Sequence, residues 1–311
     1  VSGRILVIKL GALGDFVQAL GPMAAIRHHH AAARIVLITQ HPFEALARAA
    51  GYADEIWLDE RPSLLGVRPW LAMRRRLREG HFDRVYDLQT SDRSGWYFRL
   101  FWPGPWPEWS GIARGCSHPH DNPQRDFMHT IERQAEQLRI AGIADTPLPD
   151  LSWANAGIAR FAMPKHYALL VPGGAAHRPA KRWPLERYAE LAEALVVRAL
   201  TPAIIGGAAE APLAEAIRSL ATETVDLTEK TSFVEVAALA RHAALAVGND
   251  TGPMHLIAAA GCPSVVLFSR DSDPALCAPR GPQVTLLRRP SLDELSVEEV
   301  LAALPATRGS N

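Results

Sequence analysis

Four glycine-marked polar blocks, each set behind an apolar run of strand length, hold the residue types that chemistry needs. The first is Gly11-Ala12-Leu13-Gly14-Asp15, where two glycines allow close backbone approach. Asp15 falls at the start of the next helix, where a carboxylate acts either as an N-cap or as a general base. Spacing by itself favours the cap. The second block is Val171-Pro172-Gly173-Gly174-Ala175-Ala176, followed by HRPAKRWPLERY. Lys181 and Arg182 precede Pro184, a residue suited to a first helical turn. A cation there would meet a diphosphate, or would simply be solvated like most lysines and arginines. In the third block, Gly206-Gly207-Ala208-Ala209-Glu210, an acid is placed to accept ribose hydroxyls. The sharpest block is Gly248-Asn249-Asp250-Thr251-Gly252-Pro253-Met254-His255. Amides of Thr251 and Gly252 at a helix N-terminus favour phosphate oxygens. An Asp250 cap, with Pro253 in the first turn and His255 packing locally, accounts for the same order, and residue order does not choose between the two.

Three further clusters carry weaker signals. His28, His29 and His30 are consecutive and do not share a helix face, so they read as a solvated helix end rather than a metal site. Arg74, Arg75 and Arg76, near Trp70 and Leu71, form a basic amphipathic patch. It suits anionic lipid or a phosphorylated glycolipid, and equally an ordinary exposed helix face. The loop Phe101-Trp102-Pro103-Gly104-Pro105-Trp106 suits an acceptor-binding lip or packing between domains.

The elements that must position these residues alternate. RILVIKL at 4–10, RIVLITQ at 34–40, EIWLDE and FDRVYDLQT read as strands, and the segments between them have helical spacing. A proline-rich stretch at 101–126 reads as a long surface loop ahead of a helix over 127–141. A second, DTPLPDLSW at 145–153, reads as a linker. The βαβα pattern then restarts and runs to SVVLFS, so two doubly wound halves are expected, 1–153 and 154–311. The tail SVEEVLAALP is amphipathic and free to cross back to the first half.

The 311 residues carry 33 basic and 33 acidic side chains, a balance that advertises no polyanionic partner, excludes a histone-like or acid-tailed protein and predicts no nucleic-acid partner. An apolar share of 48% is globular. Cys116, Cys262 and Cys277 are too scattered for a disulfide framework or paired zinc ligation, which points to a reducing, cytoplasmic compartment. The opening residues show no export signal, and no apolar run is long enough to span a membrane.

Together, ILVIKLGALGD, PGGAAHRPAKRWPLERYAELAEAL and VGNDTGPMHLIAAAGCPSVVLF resemble the bacterial heptosyltransferases of glycosyltransferase family 9. The resemblance implies a GT-B fold, with two Rossmann-like domains facing across a cleft, the N-terminal one for the acceptor and the C-terminal one for the nucleotide-sugar. It implies inverting, metal-independent transfer of a heptose from ADP-heptose to the inner core of lipopolysaccharide, with no cofactor and with peripheral contact at the cytoplasmic face of the inner membrane. By position, Asp15 matches the family's catalytic base, Gly14 falls at a donor-binding position, and Lys181 matches the lysine on the donor phosphates, a donor-binding and catalytic residue. Gly174, Asp250, Thr251, Gly252 and His255 match donor-binding positions, and Glu210 and Thr231 fall near the ribose and adenine contacts. This chain has Gly11-Ala12 and Ala175-Ala176 where many members carry hydroxyl residues. A family 9-like transferase with another donor or acceptor, and a non-catalytic nucleotide or glycan binder, are the alternatives. A nicotinamide oxidoreductase ranks last, because no full GxGxxG follows a strand.

Overall fold

The computed structural model describes residues 3–61, 66–174 and 178–305. The chain divides into two compact units, 1–149 and 150–311, and the division falls inside the proline-rich linker. The turn at Ala175-Ala176 lies outside the described residues.

In the first unit the strands are β1 (Arg4–Ile8), β2 (Arg34–Thr39), β3 (Glu55–Leu58), β4 (Arg84–Asp87), β5 (Glu108–Gly111) and β6 (His118–Pro119). The helices are α1 (Leu13–Gln18), α2 (Leu20–His29), α3 (Glu44–Ala50), α4 (Val67–Glu79), α5 (Asp92–Arg99) and α6 (Thr130–Ile140). All strand pairs are parallel, in the order β3-β2-β1-β4-β5-β6. Ile5 to Ile8 are buried throughout, as a central parallel strand covered on both faces requires. The expected surface loop at 101–126 contributes β5 and β6 at the sheet edge. Prolines flank or end both strands, and an edge is where a missing N–H is tolerated.

The second unit repeats the plan. Its strands are β7 (Tyr167–Val171), β8 (Thr201–Ile204), β9 (Val225–Asp226), β10 (Leu245–Asn249), β11 (Ser264–Phe268) and β12 (Val284–Arg288). Its helices are α7 (Leu185–Val197), α8 (Ala211–Leu220), α9 (Phe233–His242), α10 (Gly252–Ala259), α11 (Pro274–Cys277) and α12 (Val297–Ala302). The order β12-β11-β10-β7-β8-β9 is the first sheet's order read from the other edge. In each sheet the chain reverses direction of winding beside the first strand, between β1 and β4 and between β7 and β10. Ligands of open α/β sheets bind outside the carboxyl ends of strands at this switch point.

Helix α12 packs within the second unit. Leu292, Leu295, Val297 and Val300 are buried in the second unit's core with Trp183, Leu191 and Leu195. The Leu295 carbonyl accepts from Trp183 Nε1 at 2.9 Å and from the Arg187 guanidinium. At the other end of the unit, the Leu151 amide donates to the Ala259 carbonyl, 3.1 Å away.

Candidate functional site

At the second switch point, Asn249 organises the backbone. It is fully buried at the end of β10. Its Nδ2 donates to the carbonyls of Pro172 and Gly173 at 2.9 and 3.0 Å. Its Oδ1 accepts from the Trp183 amide and the Tyr188 hydroxyl, both at 3.1 Å. One amide thus fastens the turn after β7, the segment behind Lys181 and helix α7 to the turn after β10. Its neighbour Gly248 is forced by packing, since a Cβ there would lie 2.6 Å from Val171 Cβ and 2.7 Å from Met254 Sδ.

Asp250 does not cap α10. The N-cap is Thr251, and no side chain hydrogen-bonds to the first turn. Asp250 Oδ2 accepts instead from Lys181 Nζ at 2.7 Å and from Ser272 Oγ at 2.5 Å. Lys181 Nζ also donates to Ser272 Oγ at 3.0 Å, which closes a three-membered cluster. Lys181 and Asp250 expose only 12% and 7% of their side chains, so the ion pair is largely removed from water. The solvated-charge reading of Lys181 is therefore set aside, while Arg182 binds the Gly174 carbonyl at 2.6 Å. Thr251 Oγ1 is buried without a hydrogen-bond partner. An uncapped helix start, an orphaned hydroxyl and a buried ammonium together suit an anionic ligand. His255 is buried in the first turns of α10.

Glu210 sits at the neighbouring strand end. Its Oε2 accepts from the Gly207 amide at 2.9 Å. A Cβ at Gly173 would meet Glu210 Cγ at 2.6 Å, and one at Gly206 would meet Glu210 Cβ at 2.5 Å. The glycines of the second and third blocks are thus the room that Glu210 occupies. The Glu229 amide donates to the Gly206 carbonyl at 3.0 Å and brings the next loop alongside. Thr231 is half-buried two residues further on, directly before Ser232, the N-cap of α9.

In the first unit, Asp15 is the third residue of α1 and is exposed, and Ala12 is the N-cap. The cap reading that spacing favours therefore fails. Gly14 precedes it in the same turn. The Gly11 turn is held by Gln89, whose Oε1 accepts from the Leu10 and Gly11 amides at 2.9 and 2.7 Å. A Cβ on Gly11 would lie 2.8 Å from Gln89 Nε2. Beneath the turn, Lys9 is 3% exposed and donates from Nζ to the Leu88 carbonyl at 3.2 Å. Burial pushes its ammonium below the ordinary range, against the opposing pull of Asp15 and Asp87. Asp87, at the end of β4, is fully buried. Its Oδ1 accepts from the Gln89 and Thr90 amides, and its Oδ2 has no hydrogen-bond partner. Burial pushes this carboxyl up to about 6. Lys9, Asp87, Gln89 and Ser272 are absent from the sequence-derived candidates. Lys9 alone carried a signal, as a charged residue closing an apolar strand run.

The other clusters separate. His30 Nε2 lies 2.8 Å from the Tyr86 hydroxyl. Among the described residues no group of three or more His, Cys, Asp or Glu converges as metal ligands do. Of the three arginines, Arg76 stacks on Trp57 at 4.2 Å, Arg74 binds the Trp102 carbonyl at 2.8 Å, and Arg75 points to solvent. No described helix is long and apolar enough to cross a membrane.

The model of glycosyltransferase family 9 (heptosyltransferase) matches residues 70–301, about three-quarters of the chain. The chain belongs to glycosyltransferase family 9. This family 9 chain is 36% identical over 120 residues to lipooligosaccharide heptosyltransferase 2 of Haemophilus influenzae, a match covering 37% of this chain and 34% of that protein. The matched region thus spans about a third of that relative's length. It is 24% identical over 285 residues to lipopolysaccharide heptosyltransferase 1 of Pseudomonas aeruginosa, covering 85% and 78% of the two chains. Among solved structures it resembles the E. coli ADP-heptose LPS heptosyltransferase II, with a TM-score of 0.80 at 21% identity over 96% of this chain and 97% of that one. A family 9 glycosyl transferase from Veillonella parvula gives 0.84 at 19% identity over 97% and 96%. The two doubly wound units are those of the GT-B fold of these enzymes.

Proposed function

We propose that this family 9 protein is an inverting, metal-independent glycosyltransferase of the cytoplasm that moves a heptose from ADP-heptose to the inner core of lipopolysaccharide. The observation that carries the reading is the Lys181–Asp250–Ser272 cluster at the uncapped start of α10. It lies where a doubly wound unit takes a nucleotide. The named relatives supply the donor and acceptor class.

In this reaction Asp15 accepts the proton of an acceptor hydroxyl as that oxygen attacks the anomeric carbon. The bond from that carbon to the diphosphate breaks, and its electron pair leaves with ADP. One displacement inverts the configuration. Charge builds on the departing diphosphate, so Lys181, the α10 amides and Thr251 Oγ1 stabilise the transition state more than the ground state. These groups take up the charge that a metal ion neutralises in other transferases. Glu210 and Thr231 serve the nucleoside side.

The test is calorimetry in chelator-treated buffer against ADP-heptose, ADP, UDP-glucose and NAD, followed by transfer assays to a lipopolysaccharide core acceptor. Selective ADP-heptose binding and transfer are expected. In Asp15→Asn, turnover falls by about 10²- to 10⁴-fold with ADP binding unchanged. Preference for a uridine ligand overturns the donor, and retained turnover in the Asp15 variant removes it from the base role.

A further inference from the structure

Where the chain leaves β1, its backbone changes partners. The Lys9 amide still donates to a neighbouring strand, to the Ile38 carbonyl at 3.0 Å. The next two amides, of Leu10 and Gly11, both donate to one side-chain oxygen, Gln89 Oε1. Both residues are buried, so amides that the sheet does not take need such a partner. Gln89 stands just past β4, the strand paired with β1, and its own amide is fixed by Asp87 Oδ1 at 3.1 Å. The strand ends are tied in both directions, because Lys9 Nζ reaches from the end of β1 to the Leu88 carbonyl at 3.2 Å. Gly11 completes the fit. A Cβ there would lie 2.8 Å from Gln89 Nε2 and 3.0 Å from Oε1, so the Gln89 amide lies across the space that a side chain at position 11 would fill.

What this anchor holds is the start of α1. The turn passes straight into Ala12, an N-cap that makes no side-chain hydrogen bond, and Asp15 is the third residue of the six-residue helix that follows. The Phe16 amide closes the first turn on the Ala12 carbonyl at 2.9 Å. Residues 10 and 11 therefore fasten this short helix to the sheet one turn before the carboxylate. A misplacement of about 1 Å in a catalytic group costs up to about 10²-fold in rate. We infer that Gln89 is a positioning residue for Asp15: its side-chain oxygen sets the Gly11 turn and, through it, the carboxylate that takes the acceptor proton. The inference rests on Asp15 being the base, and it adds a residue that acts through the backbone of the turn. Only Oε1 serves the anchor, since Gln89 Nε2 makes no hydrogen bond among the described residues. A carboxylate oxygen of the same reach can replace it, which makes Gln89→Glu the conservative variant.

The experiment is a kinetic cycle on the full chain, with ADP-heptose and a lipopolysaccharide core acceptor, over wild type, Gln89→Met, Asp15→Asn and the double variant. Gln89→Met keeps the length of the side chain and removes the acceptor. It is expected to lower kcat by about 10- to 100-fold while leaving ADP affinity, read by calorimetry, unchanged. Gln89→Glu recovers most of the loss. In the Asp15→Asn background Gln89→Met costs less than about threefold more, because a side chain that is no longer a base loses nothing by being misplaced. Hydrogen exchange at the Leu10 and Gly11 amides reports the anchor without turnover, and it is faster in Gln89→Met and slowed again in Gln89→Glu. Circular dichroism checks folding, and if Gln89→Met does not fold, Gly11→Ala, which drives the Gln89 amide out of its place, carries the same cycle. Wild-type kcat in the folded variant, losses that multiply in the double variant, or unchanged exchange at the two amides overturns the inference. Full turnover in Asp15→Asn alone overturns the base reading and this inference with it. A slow Asp15→Asn beside an unaffected Gln89→Met overturns this inference alone.

Discussion

The Lys181–Asp250 pair makes a prediction whose sign is not obvious. In the free protein Lys181 is neutralised by Asp250 at 2.7 Å, and both side chains are largely buried. A diphosphate oxygen that engages Lys181 must come within about 5 Å of the Asp250 carboxylate. At an effective dielectric of about 20 to 40, that repulsion is about 1.7 to 3.3 kcal/mol. Asp250→Asn keeps the shape and an acceptor for Ser272 Oγ and Lys181 Nζ, while removing the charge. ADP is therefore expected to bind roughly 20- to 250-fold more tightly to the variant. The free variant should also unfold at a lower temperature, because breaking one side of a buried ion pair costs about 3 kcal/mol or more. Calorimetry with ADP over a salt series, with circular dichroism to confirm folding, measures both effects. If a folded Asp250→Asn protein binds ADP no better than wild type, the carboxylate does not compete with phosphate. Its task would then be to aim the ammonium at the diphosphate.

Three other expectations follow from local geometry. Ser272→Ala removes the hydroxyl that donates to Asp250 and accepts from Lys181. It should reduce kcat/KM for the donor by about tenfold, with recovery in Ser272→Thr, measured by steady-state kinetics. Asp87 is pushed up to about 6 by burial, so its contribution to stability is complete below the ordinary carboxylate range and is lost as pH rises through about 6. Urea unfolding at about pH 4 and about pH 7 should show a drop of roughly 3 kcal/mol from this group, and Asp87→Asn should flatten it. A profile equally steep in the variant removes Asp87 as the cause. Gly21 lies in α2 with the Pro147 carbonyl 2.0 Å from where a Cβ would stand. Gly21→Ala should cost about 1 to 3 kcal/mol and lower Tm by several degrees in a thermal melt, and an unchanged Tm contradicts that packing.

The apolar runs made the central strands legible, because a parallel strand buried on both faces has to be apolar along its length. Strands β5 and β6 were hidden in a proline-rich stretch, since an edge strand of two to four residues leaves no periodicity to read. Order and type of residue brought Lys181, Asp250 and Thr251 into view. They could not decide whether Asp250 capped its helix, because capping depends on where its oxygens point. Ser272 was invisible. It stands 22 residues beyond Asp250 in a loop without a motif, and only the return of the chain after β11 brings the two together. The arginine triplet shows the opposite case. One sequence patch divides in space into a ring stack on Trp57, a brace for the Trp102 turn and a solvent-facing charge.

The brace that Leu295 places on Trp183 and Arg187 bears on the order in which the protein is made. The segment carrying Lys181 leaves the ribosome more than a hundred residues before the carbonyl that steadies it, and Asn249 arrives in between. Synthesis runs at about 5 to 20 residues per second, so that segment waits several seconds without its anchor. The first unit is a compact body of the first 149 residues and is able to fold while the ribosome is still translating the second. The segment that carries Lys181 is thus steadied only after the chain through Leu295 has been made.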